Sequence, residues 1–298
     1  MKMPSHPIQG ILWMISTGLC FIAVTAIVKY AAQDLPAAEA AFLRYLLGLV
    51  FLLPIARTLL ATRISSRDLK FFAARGLVHT LAVILWFYAM TQIPIAEVTA
   101  MNYLNPVYVT LGAAIFLGET LALRRILAVV AALLGVVVIL RPGFREIETG
   151  HLAMLATAAL FGASYLFAKP LSGRYSATMV VAMLSVTVTV GLAPFAFAVW
   201  RTPTVADLGW MFLVAAFATA GHYTMTRAFA AAPISVTQPV TFLQMVWAVL
   251  LGWAFFAEPP DGFVILGALI IIASVSFIAW REARLKRGVT PPHVATKH

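Results

Sequence analysis

Residues 93–119 read IPIAEVTAMNYLNPVYVTLGAAIFLGE, and residues 232–258 read APISVTQPVTFLQMVWAVLLGWAFFAE. Each stretch begins beside a proline, stays largely apolar for the length of a bilayer crossing, and ends on a glutamate. A spanning helix needs about 20 mostly apolar residues, so each stretch is the size of one crossing. At an offset of 139, Ala89, Pro94, Leu104, Val107 and Glu119 fall on Ala228, Pro233, Leu243, Val246 and Glu258. Apolar matches between such segments are common by chance. A proline and a glutamate recurring together are not, and the chain therefore repeats itself at about half its length.

Upstream the repeat continues with a one-residue slip. At an offset of 140, Gly10, Leu12, Met14, Thr17, Phe21, Ala23 and Lys29 fall on Gly150, Leu152, Met154, Thr157, Phe161, Ala163 and Lys169, and Pro54 falls on Pro194. Ten windows of spanning length fit the chain, at 8–32, 37–60, 69–91, 95–117, 123–140, 150–170, 176–200, 206–230, 235–256 and 261–280. The expected fold is an all-α membrane protein of ten transmembrane helices. It divides into a first repeat (8–140), a second repeat (150–281) and a basic cytoplasmic tail (282–298). Five is odd, so the second copy enters the membrane from the opposite side, giving inverted repeats of the kind that secondary transporters use.

Composition agrees with the spans. The chain is 62% hydrophobic and 11% charged, against roughly 25% charged for a soluble domain. Its net charge of +10 would suggest a nucleic-acid partner in a soluble protein. Here the basic residues sit between apolar runs and read as topology. Fifteen of the 21 Lys and Arg fall in the N-terminus, the even-numbered loops and the tail, while only Lys29, Arg141, Arg145 and Arg201 fall in the odd-numbered loops. Both termini are thus expected in the cytoplasm. Cys20 is the lone cysteine, so no internal disulfide can form. The first ten residues are too short for a cleavable address, and the first apolar run is expected to span.

Polar residues inside the spans carry the functional reading. Asn102 and Asn105 are the only asparagines and share one face of the fourth helix, with Tyr103 between them. The ninth helix carries Gln238, Thr241 and Gln244 on a comparable stripe. Amides in hydrocarbon need partners, so these faces serve as interhelical glue or line a wet substrate path; their recurrence at symmetry-related positions favours the path. His79 and Trp86 share a face of the third helix, and His222 lies at a related depth in the eighth. An ionisable group within a membrane is a functional candidate by default. The expected substrate-binding set is His79, Trp86, Asn102, Tyr103, Asn105, Gln244, Trp247 and His222. Lys29 and Lys169 read as cations snorkelling to headgroups, and Arg44 as a partly buried partner of Glu39 or of a substrate carboxylate. Pro54 and Pro194, at matched positions, read as hinges, with Arg44 at one gate.

Enzyme signatures are absent: no HExxH, CxxC or phosphate loop occurs, and no pair of aspartates sits at the midplane. No catalytic residue, metal or cofactor is expected. The expected partners are a small-molecule substrate and the lipid bilayer, without nucleic acid, and with a monomer as the default.

The two quoted stretches, with Arg44 and the matched first helices, resemble the ten-helix branch of the drug/metabolite transporter superfamily, whose repeat unit is called the EamA domain. The resemblance spans residues 8–281. It implies a central cavity lined by helices one, three, four, six, eight and nine, and export by alternating access. It also implies a substrate among amino acids, aromatic ones included, as in the similar aromatic amino-acid and paraquat exporters of bacterial inner membranes. Nucleoside-like metabolites, organic cations, or a channel or scaffold that never alternates are the competing readings.

Overall fold

The computed structural model describes residues 7–117, 122–232 and 234–288. Glu119 and Pro233 of the repeat, and the tail beyond residue 288, lie outside the described residues; so do the side chains at 117, 177, 234–236, 238 and 282–288. Among the described residues, every regular element is helical, and nine helices are long and apolar enough to cross a membrane. The tenth crossing is the fourth, which is broken in its middle.

The crossings are α1 (Pro7–Ala31), α2 (Ala37–Ala61), α3 (Ser66–Gln92), α4 (Ile95–Asn102 and Asn105–Leu117) and α5 (Leu123–Leu140). The second five are α6 (Thr149–Ser172), α7 (Ala177–Ala198), α8 (Val205–Ala231), α9 (Ile234–Thr241 and Leu243–Phe256) and α10 (Gly262–Gly288). With ten crossings, α1 starts and α10 ends on one side, the terminal face; the other is the distal face. Helix starts carry their own caps. Ser65 Oγ accepts from Asp68 N–H at 3.1 Å, Ser176 Oγ from Met179 N–H at 3.2 Å, and Thr204 and Asp207 form a capping box.

The two repeats interlock rather than sit side by side. The first helix of each packs along the third helix of the other, α1 on α8 and α6 on α3, while α2 packs on α7 and α5 on α10. Two glycine contacts record the same symmetry. A Cβ on Gly10 would stand 2.4 Å from that of Ala232, and one on Gly150 would stand 2.7 Å from Ile93 Cγ2. Gly10 and Gly150 are repeat equivalents, as are Ile93 and Ala232. At the α5–α10 crossing, a Cβ on Gly135 or Gly267 would meet the other's carbonyl oxygen at 2.8 or 2.5 Å. Lipid is as apolar as leucine, so helix association rests on such close approach and on polar cross-links. Thr17 and Thr224 hydroxyls join α1 to α8 at 2.9 Å, and Thr157 donates to Ala82 O from α6 to α3 at 3.3 Å.

The matched prolines differ in effect. Around Pro54, α2 tightens into a 3-10 stretch over Leu49–Ile55, whereas α7 runs through Pro194 unbroken to Ala198. Arg44 does not pair with Glu39. Its guanidinium covers the Tyr45 ring at 4.0 Å, and Glu39, fully buried, accepts from Arg201 N–H at 2.8 Å. A carboxylate at the start of α2 caps the α7–α8 connection instead.

Candidate functional site

The repeat dictates where the site forms. In α4 the helix stops at Asn102, passes through Tyr103 and Leu104 on i to i−3 hydrogen bonds, and restarts at Asn105. Pro106 explains the break, because it has no N–H to continue the ladder and its ring crowds the preceding turn. In α9 the helix stops at Thr241 and resumes at Leu243 after the single residue Phe242. The proline of this second break, Pro239, lies before it, whereas Pro106 lies after the first. Tyr103 and Phe242 are equivalent at the 139-residue offset, and their rings meet edge-on with centroids 5.5 Å apart. Tyr103 Oη also donates to Thr241 O at 3.4 Å. The two half-helix breaks therefore touch across the pseudo-two-fold axis.

Beside this contact lies a cavity of about 900 Å³. Asn102, Tyr103 and Asn105 of α4, Thr241, Phe242 and Gln244 of α9, Thr17 and Phe21 of α1, and Tyr165 of α6 line it. It reaches the terminal face between Arg125, Lys169 and Ala279. Asn105 Nδ2 donates to Asn102 Oδ1 at 3.0 Å, which leaves Asn105 Oδ1 buried without a partner. The pair thus keeps the Asn102 amide nitrogen and the Asn105 amide oxygen outside this bond, on two residues that line the cavity. Among the described lining residues no carboxylate occurs, and the amide end carries no ionisable side chain other than tyrosine.

Of the residues expected to bind substrate, Asn102, Tyr103, Asn105 and Gln244 come together here. The others stand apart from this cavity. His79 Nδ1 lies 3.1 Å from Ser164 Oγ, with its ring 4.8 Å from that of Phe161, in the seam between α3 and α6. Trp86 is edge-on to the same Phe161 at 6.0 Å. Trp247 packs against Ile22, Ile95 and Ala248, and its indole nitrogen, like that of Trp86, has no hydrogen-bond partner. His222 is exposed and stands edge-on to Phe21 at 5.2 Å. The helices lining the cavity also differ from expectation: α3 contributes no side chain, while α5 and α10 do. α3 packs along α6 instead.

The distal end is closed by charge, which sequence reasoning missed. Lys29 does not snorkel to headgroups. It pairs with Glu258 at 2.8 Å and donates to Ile93 O at 2.8 Å, while the other Glu258 oxygen accepts from Ile95 N–H at 2.9 Å. Ala257 makes this possible by adopting a left-handed conformation (φ 54°) that turns Glu258 back over α9. Gly252 leaves room for the carboxylate, since a Cβ there would stand 2.6 Å from Glu258 Oε2.

A second cluster pins the same α3–α4 connection. Arg145 donates twice to Glu97, at 2.8 and 2.7 Å, and His151 donates to Glu97 from Nε2 at 2.5 Å. His151 Nδ1 accepts from Glu148 N–H at 3.1 Å, which leaves Nε2 as the nitrogen that donates to Glu97. Arg141 and Asp261 form a third pair nearby. Repeat spacing hints at the first cluster through the matched Lys and Glu, but no local pattern pairs residues as far apart as Lys29 and Glu258.

Comparison with known proteins agrees with this architecture. The model of the EamA-like transporter family matches residues 8–141 and 148–280. A riboflavin transporter of Rhizobium johnstonii is 33% identical over 288 residues, covering 95% of each chain. One of Vibrio cholerae is 29% identical over 294 residues, covering 96% of this chain and 98% of its own. The pseudopaline exporter CntI of Pseudomonas aeruginosa is 25% identical, covering 94% of this chain and 98% of its own.

Proposed function

The chain belongs to the EamA-like transporter family, and on that premise we propose that it carries a flat heteroaromatic solute of the riboflavin kind by alternating access. The observation that carries this reading is the Asn102–Asn105 pair beside the Tyr103–Phe242 contact. An amide donor next to a free amide acceptor complements the N–H and C=O edge of a flavin ring. The aromatic residues around it supply faces for the ring itself. A cavity of about 900 Å³ lies within the range that encloses a drug-sized molecule, ~300–1,000 Å³. Two relatives named riboflavin transporters, matched over nearly their whole length, support the same choice.

Aromatic amino acids remain the second reading, favoured by the same aromatic lining. Against them, an α-ammonium group finds no carboxylate among the described residues of the cavity. A cationic solute meets the same objection. The distribution of Lys and Arg supports an inner-membrane location with cytoplasmic termini, so the cavity faces the cytoplasm in this state and loads an outward-moving solute. The protein acts as a monomer in this reading.

The test is counterflow in proteoliposomes. Labelled riboflavin should enter vesicles preloaded with unlabelled riboflavin, saturably, while labelled tryptophan should not. Tryptophan counterflow without riboflavin counterflow would reverse the choice of substrate, and non-saturable leakage of both would point to a pore.

A further inference from the structure

Among the described residues, Lys29, Arg141, Arg145 and Arg174 have carboxylate partners. Two arginines well inside the spans do not. Arg75 lies in the tenth position of α3 and is 6% exposed, too buried to reach headgroups. One of its terminal nitrogens donates to Val180 O at 3.1 Å, and its Nε is buried without a partner. Arg44, in α2, rests on Tyr45. No carboxylate lies within ion-pairing distance of either among the described residues.

These groups converge. Arg75 lies one helical turn before His79 on α3, and His79 Nδ1 is 3.1 Å from Ser164 Oγ of α6, while Arg44 lies on α2 and His222 on α8. The helices that carry them meet at α2, which packs on both α3 and α8. Two residues connect the group to the cavity. Tyr165 lines the cavity and directly follows Ser164, the partner of His79, and Phe21 lines it while facing His222. A guanidinium held away from water without a counter-ion is costly, and such a site is relieved when an anion enters.

We propose that Arg75, with Arg44 on the helix packed against α3, forms an anion-accepting subsite at the flank of the cavity, taking the phosphate or carboxylate group of a transported solute. The ring of the solute would lie at the amide end and its anionic group towards Arg75. A planar guanidinium suits both groups through paired N–H donors. The anion is either attached to the flavin-like solute or a separate small anion moved with it. The choice of probe rests on the flavin reading; the subsite does not.

The first arm measures inhibition of labelled riboflavin counterflow by riboflavin 5′-phosphate. Competition is expected, and Arg75→Gln should weaken it at least about tenfold more than it weakens competition by riboflavin itself; Arg75→Lys should weaken it less. The second arm loads vesicles with inorganic phosphate or benzoate and asks whether riboflavin flux rises in the wild type and not in Arg75→Gln. Either result supports the subsite and identifies the source of the anion. If neither arm separates wild type from variant, the subsite is overturned. If riboflavin does not move at all, the flavin reading fails alone. Thermal unfolding of the purified protein in inorganic phosphate then decides, with a rise in Tm that Arg75→Gln removes expected, and no rise overturning the subsite. Should Arg75→Gln not fold, Arg44→Gln on the neighbouring helix replaces it in every arm.

Discussion

At the scale of the residue, the amide pair carries the flavin reading proposed above. Asn105 already donates to Asn102, so the Asn102 nitrogen and the buried Asn105 oxygen stay outside that bond, on two residues that line the cavity. Removing either amide leaves the other unpaired in a dry environment, a loss of about 1–3 kcal/mol. Asn102→Leu or Asn105→Leu should therefore weaken the apparent affinity for riboflavin by roughly 5- to 100-fold, measured as the half-saturating concentration for counterflow. Unchanged affinity in a folded double variant would mean that the pair only joins two half-helices. These residues were legible in the sequence because asparagine occurs nowhere else in the chain and a buried amide demands a partner. His79 and Trp86 were legible as a stripe, but a stripe names a face and not its neighbour. Here the neighbour is Phe161 of α6. Arg75 was not legible, because counting along the chain groups it with the loop cations, although it occupies the tenth position of α3.

At the scale of the element, the distal closure depends on one short connection held from two sides. Lys29 and Glu258 hold Ile93 and Ile95, and Arg145 with His151 holds Glu97. Opening the distal face requires these contacts to part. The side chains of Lys29 and Glu258 are 13% and 15% exposed, so the pair is shielded but not dry. Glu258→Gln or Lys29→Met should lower the cost of opening by about 1–3 kcal/mol, and exchanging the two charges should restore part of it. Gly252→Ala should act in the same direction by displacing the carboxylate, read as in the accessibility measurement below. A different element tests the packing. Gly135→Leu or Gly267→Leu places side-chain atoms where a carbonyl of the facing helix sits, so α5 and α10 cannot approach. Loss of monodisperse protein on size exclusion is expected, whereas the same change at Gly209, which has open space around it, should be tolerated. The helices themselves were legible from hydropathy and length, whereas the breaks in α4 and α9 were not read, although Pro106 and Pro239 mark them. The ion pairs were not, because their partners meet only once the fold is formed.

At the scale of the whole molecule, two inverted copies with unequal ends underlie the proposal of two states of the same chain. Here the cavity reaches the terminal face and the distal face is shut by the charge clusters. In the proposed alternating-access cycle the opposite state shuts the terminal face, and a solute that binds both states equally shifts neither. Access to the cavity reports which state is populated. Cys20 is the only cysteine, so in a Cys20→Ser background a Thr241→Cys variant places one thiol in the cavity. A membrane-impermeant maleimide should label it from the side of the termini, and from the distal side only slowly. Adding Glu258→Gln should speed labelling from the distal side by about 5- to 100-fold, the factor that corresponds to a shift of about 1–3 kcal/mol between two states. Equal labelling from both sides in the parent would describe an open pore, because one cavity that alternates cannot be reached from both faces at once. Labelling that stays one-sided in Glu258→Gln would place the barrier deeper, at the Tyr103–Phe242 contact, where the two breaks already touch.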